Sequence, residues 1–89
     1  MYLAKVIGSA VVPQKIPSLN GKKLMLVEPI TAGGETALGA QKVAVDAVGA
    51  GGGEIVIVAQ GTSARQYFQE PNQGIDEVIV GIVDSLNCD

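Results

Sequence analysis

The sequence predicts an all-β fold, a five-stranded Greek-key barrel of the OB type with one short helix, in a single domain spanning residues 1–89. Three observations carry this. Five runs rich in β-branched residues recur along the chain. Twelve of the 89 residues are glycine, and most fall between those runs, where reversals of direction need them. Helix-forming residues gather only in one stretch after Gly61, too little for a helical bundle or a parallel α/β sheet. An unclosed sandwich of the same strands is the alternative arrangement.

The first strand is expected over residues 2–12. Gly8 interrupts its β-branched centre and marks a bulge or a close backbone approach. Pro13 and Pro17 stop the run and stiffen the segment between it and the next reversal. Asn20-Gly21 then supplies the positive φ of a tight reversal, and a second strand runs from Lys22 or Lys23 to Ile30. Residues 31–39 form a loop, with Gly33, Gly34 and Gly39.

A third strand is expected over residues 41–48. Alternation puts Val43, Val45 and Ala47 on one face and Lys42, Ala44, Asp46 and Val48 on the other. The second face is mixed, so Asp46 is expected half-buried at a contact. Residues 49–53, GAGGG, make a bent turn into a fourth strand over 54–60. That strand's centre, Ile55-Val56-Ile57-Val58, is apolar on both faces, the pattern of a strand covered on both sides. Thr62 or Ser63 caps a short helix containing Ala64, Arg65 and Gln66, which is too short to stand without docking on the barrel. The fifth strand begins at Glu77 or Val78 and ends near Leu86.

A chain this small buries only about 60–65% of the surface its unfolded form exposes. Yet 47% of its residues are hydrophobic and only 17% are charged, below the usual one in four. That surplus of apolar side chain predicts buried contacts between subunits. The net charge of −3 gives long polyanions no overall attraction, with Lys15, Lys22 and Lys23 the candidates for a local basic patch. Two tyrosines and one phenylalanine are too few for the stacking platforms of a single-strand-binding face. No nucleic-acid partner is therefore expected. The single Cys88 suits a reducing compartment, and no apolar stretch reaches transmembrane length, so the expected location is the cytosol with no membrane partner.

With no histidine and one cysteine, the chain has no Ser-His pair and no histidine or paired-cysteine metal site, so neither a catalytic residue nor a metal or cofactor is expected. Gly61-Thr62-Ser63-Ala64-Arg65 resembles a serine elbow only faintly, and Ser63 reads better as a cap. Asp46 and Glu54 flank the glycine turn and could meet across it, but two carboxylates are a poor cage for a hard cation. The glycine turn is either a flexible reversal or a place where neighbouring subunits come close because side chains are absent. Arg65, the only arginine, suits an inter-subunit carboxylate or carbonyl cluster, and plain solvent exposure explains it equally well.

Five segments, in order and across nearly the whole chain, carry a resemblance: residues 1–11, MYLAKVIGSAV; 17–24, PSLNGKKL; 43–51, VAVDAVGAG; 61–65, GTSAR; and 76–84, DEVIVGIVD. Together they resemble the EutN/CcmL family of bacterial microcompartment vertex proteins. The resemblance implies a non-enzymatic five-stranded barrel with a short helix. It implies a homo-pentamer that fills the vertices of an icosahedral shell tiled by hexameric shell proteins, with a narrow opening on the fivefold axis. It also makes Asp46, Gly49, Ala50, Gly51, Thr62, Ser63 and Arg65 the candidates for subunit-contact or axial positions. A binding module of OB type, for single-stranded nucleic acid or a small ligand, is the rival reading. A small enzyme using Asp or Glu chemistry is a distant third.

Overall fold

The computed structural model describes residues 1–35, 41–61 and 75–86. Five strands close into a barrel: β1 (Tyr2–Ala10), β2 (Lys23–Pro29), β3 (Lys42–Asp46), β4 (Ile55–Gln60) and β5 (Glu77–Val83). Their order around the barrel is β1-β2-β3-β5-β4. The first three form an antiparallel meander, and β4 returns to lie beside β1, which is the Greek-key order. β5 closes the gap, antiparallel to β4 and parallel to β3. The unclosed sandwich is thereby excluded. No α-helix occurs among the described residues; the helix expected after Gly61 lies outside them, as do Thr62, Ser63 and Arg65. The helical turn that is present is a single 3-10 turn at Pro17–Leu19, just before the Asn20-Gly21 reversal, where Gly21 takes a φ of 76°.

Inside the barrel the side chains are small. Ala4 and Val6 from β1, Met25 and Val27 from β2, Ala44 from β3, Val56 and Val58 from β4 and Ile79 from β5 pack into one cluster. Five strands enclose a narrow space, and alanine at Ala4 and Ala44 lets the branched side chains opposite reach its centre. The alternate residues of β2, β3 and β5 point outward. Leu24, Val45 and Val78 from these outer positions form a second cluster with Ile75, flanked by Ala10 and Leu19. One outer face of the barrel is thus a core in its own right.

Gly8 sits at a bulge. The β1–β2 register slips between Val6 and Gly8, and Ile7, the extra residue, is left exposed. The strands end where their partners do. β1 stops at Ala10, opposite Leu24, and residues 11–12 leave the sheet; β5 stops at Val83, opposite Ile55, the first residue of β4.

Candidate functional site

The glycine turn does not join paired neighbours. β3 and β4 lie apart in the barrel order, so residues 47–54 cross from one to the other over the mouth of the barrel. Two backbone bonds to β1 hold the crossing down: the Gly53 N–H donates to the Val6 carbonyl at 2.8 Å, and the Val6 N–H donates to the Glu54 carbonyl at 2.9 Å. Gly49 and Gly53 adopt φ of 81° and 85°, a conformation that side chains resist. At these two positions the glycine is a backbone requirement.

Asp46 organises the crossing. Its Oδ1 accepts the Val48 N–H at 3.1 Å and its Oδ2 accepts the Ala50 N–H at 2.9 Å. A carboxylate at a strand end thereby turns the chain back on itself. Glu54 does the same from the far side, where its Oε1 accepts the Gly51 N–H. The two acids that were candidates to share a cation are each engaged by backbone donors of the turn, and no cluster of three potential ligands occurs among the described residues. Ala50 is fully buried and seals the barrel interior from above, whereas Gly49 stays exposed and Gly51 half-buried. Of the sequence-predicted positions, Asp46, Gly49, Ala50 and Gly51 therefore sit together in one capped loop.

Three side chains far apart in sequence meet at the seam between β3 and β5. Only two residue pairs define that parallel contact, Val45 with Val78 and Asp46 with Ile79. Lys42 Nζ reaches Glu77 Oε1 at 3.2 Å across it. The same ammonium lies 4.9 Å from the centre of the Tyr2 ring. The Tyr2 hydroxyl is buried with no hydrogen-bond partner among the described residues. Burial first, and the neighbouring Glu77 charge second, push its ionisation well above the usual phenol range.

Beside this seam the outer face of β2 and β3 is concave. A cavity of about 790 Å³ is lined by Leu19, Leu24, Val43, Val45 and Ile75, with Lys42, Gln60, Asp76 and Glu77 among its polar edges. Val43 is 51% exposed there. Sequence alternation placed Val43 correctly on the apolar face with Val45, but that face points out of the barrel. Further large aliphatic side chains stand in water on the single chain, Val11, Val12, Ile16 and Val48 among them. Sequence reasoning counted this surplus without locating it. The signal that could have found the 11–16 segment is two valines and an isoleucine set around and between prolines, beyond the last strand residue. What the described surface offers is apolar area and shape, the currency of association.

The comparisons with known proteins agree in kind. The family model described as "Ethanolamine utilisation protein EutN/carboxysome" matches residues 1–84. The chain is 52% identical to the bacterial microcompartment shell vertex protein PduN of Salmonella typhimurium, over 99% of this chain and all of that one. It superposes on the GrpN pentameric microcompartment shell protein from Rhodospirillum rubrum with a TM-score of 0.89 at 47% identity, covering both chains fully. It matches the carboxysome protein CcmL of Gloeobacter violaceus with a TM-score of 0.90 at 36% identity, over 100% of this chain and 91% of that one.

Proposed function

The chain belongs to the EutN/CcmL family, and from that premise we propose that it is a structural shell protein whose pentamers occupy the vertices of a bacterial microcompartment in the cytoplasm. The observation that carries this is the apolar surface left over when the barrel is complete, on a chain similar end to end to vertex proteins. A barrel whose interior is already filled has no use for Val43 or Val11 in water. Closing a ring of identical copies covers them.

Geometry gives the role its content. Sheets of sixfold tiles are flat, and they close into a shell only where fivefold units are inserted. Such a unit needs a heterologous interface, one surface of a subunit against a different surface of the next, that closes after five copies. It must also present five equivalent outer edges to the tiles. A ring carries five times −3, or −15, so packing must offset the repulsion, and hexameric shell proteins with basic edges are the matching partners. The capped loop with Asp46, Gly49, Ala50 and Gly51, together with Thr62, Ser63 and Arg65, is the proposed subunit-contact or axial region. Ala50 contributes through its backbone there, because its methyl group is spent on the interior of its own barrel. The barrel is of OB type in this reading.

Native mass measurement of the purified protein tests this. The expected result is a particle of about five times the 9.1 kDa chain mass. A stable monomer at micromolar concentration overturns the proposal.

A further inference from the structure

Asn20 and Gly21 stand in water between the 3-10 turn and β2. Asn20 takes φ −61° and ψ 134°, and Gly21 a φ of 76°. These angles make a type II turn, closed by the Lys22 N–H donating to the Leu19 carbonyl at 3.1 Å. The Asn20 N–H is spent on the Pro17 carbonyl at 3.0 Å. The Gly21 N–H has no acceptor among the described residues, and the Asn20 side-chain amide has no hydrogen-bond partner among them. A carbonyl carbon open to attack and a backbone nitrogen one residue further on are both unengaged.

Within one chain such a pair is held close at all times, which replaces a bimolecular encounter with a ring closure. At a ψ of 134° the nitrogen is turned away from the side chain, so attack needs a rotation about the Asn20 Cα–C bond. Gly21 permits that rotation. It has no Cβ, and nothing lies within 4 Å of where one would stand, so the peptide between the two residues turns over without a clash. The turn bond from Lys22 to Leu19 is the restraint, and one exposed hydrogen bond slows the rotation by about tenfold at most. Lys22 and Lys23 follow directly in the chain, and positive charge nearby favours the amide anion that attacks.

We infer that Asn20 is a site of spontaneous deamidation, with the Gly21 nitrogen as nucleophile and water as the second reactant. Hydroxide takes the Gly21 amide proton, and the nitrogen bonds to Asn20 Cγ. The bond from Cγ to the side-chain nitrogen breaks; that nitrogen takes a proton from water, which restores the hydroxide, and leaves as ammonia. Water then opens the five-membered imide, its hydroxyl going to a carbonyl carbon and its proton to the ring nitrogen. Opening at Cγ gives aspartate. Opening at the backbone carbonyl gives isoaspartate, in which the main chain runs through the former side chain. Either product exchanges NH for O and takes the chain from −3 to −4, with the new carboxylate next to Lys22 and Lys23. Isoaspartate also lengthens the backbone inside the turn that holds Leu19 against the outer core cluster. The reaction needs no second copy and stands apart from the ring.

Incubation of the purified native protein at mildly alkaline pH, followed by trypsin digestion, tests it. The tryptic peptide of residues 16–22 carries Asn20 and no other side-chain amide. The expected result is that this peptide exchanges NH for O with time, and that part of the product is labelled by isoaspartyl methyltransferase. The rate is expected within about tenfold of that of the same chain unfolded in guanidinium chloride, the margin one turn bond supplies. Asn20→Gln, which needs a six-membered ring, is expected to lose the label from this peptide while the far-ultraviolet circular dichroism of the barrel is retained. Conversion in the native protein slower than that margin overturns the inference, because the fold then protects the pair. Label that persists on this peptide in Asn20→Gln overturns it as well.

Discussion

Replacing Asp46 with Ala is the sharpest test of how the crossing loop is held. The substitution removes both acceptors that turn the chain after β3. The two lost bonds are not equal. The Val48 N–H is exposed and recovers a water, so its loss costs a few tenths of a kcal/mol. The Ala50 N–H lies in a half-buried bond above a fully buried methyl group, where water replaces the carboxylate poorly. A buried donor left without a partner costs ~1–3 kcal/mol, and the lost acceptor was ionised, which favours the upper half of that range. The expected total is about 2–3 kcal/mol. Asp46→Asn keeps one oxygen and is expected to lose about 1 kcal/mol. Urea unfolding at one fixed protein concentration measures both, since ring formation adds stability by mass action. With a urea slope of about 1–1.5 kcal/mol/M for a chain this size, Asp46→Ala lowers the midpoint by roughly 1.5–2.5 M. A shift below about 0.3 M refutes the reasoning, because the Ala50 donor would then have another acceptor.

Two further substitutions separate backbone requirement from chemistry. Gly53→Ala forces a side chain onto a φ of 85° although no atom crowds the new methyl group, so thermal unfolding should show a loss of about 1–2 kcal/mol, whereas Gly52→Ala, open and without positive φ, should be neutral or slightly stabilising. Tyr2→Phe removes a buried hydroxyl that has no partner among the described residues, so stability at neutral pH should hold or rise by up to ~1 kcal/mol. In the parent the folded phenol holds its proton above the pH at which the unfolded one releases it. The unfolded state therefore binds fewer protons once pH passes about 10, and stability falls from there upward. Tyr2→Phe should flatten that alkaline limb, and an unchanged limb in a pH series of melts would count against burial as its cause.

The strands were legible because each carries its own pattern. Val43 and Val45 against Lys42, and the unbroken Ile55-Val56-Ile57-Val58, announce extended chain before any pairing is known. So were the Gly8 bulge and the Gly21 turn, since both answer to local sterics. Strand ends were less so. Residues 11–12 are as β-branched as the strand before them, and only the position of Leu24 on β2 tells where β1 loses its partner. The third strand ends at Asp46 and not at Val48, because the Asp46 carboxylate competes for the backbone donors that a longer strand would offer.

Partnership was the hidden part, and it decides what the site is. The GAGGG run sits between two good strands, and a local reading makes it the reversal of a hairpin. The parallel contact of β3 with β5 intervenes, and it rests on two residue pairs more than thirty positions apart, with the Lys42–Glu77 bridge beside them. No local pattern encodes such a contact. Its consequence is large. Once β5 stands between β3 and β4, the glycine run must travel across the barrel mouth, Ala50 is pulled inside as a plug, and Asp46 and Glu54 turn from candidate ligands into the two clamps of a crossing loop. The same insertion brings Val78 beside Val45 and makes the outer face of β2, β3 and β5 an apolar surface that the single chain covers only in part. The surplus of aliphatic side chain visible in the composition is therefore a product of topology. A barrel closed by a parallel fifth strand has one core inside and a second outside, where Leu24, Val45, Ile75 and Val78 are buried in the single chain while Val43 beside them stays half exposed.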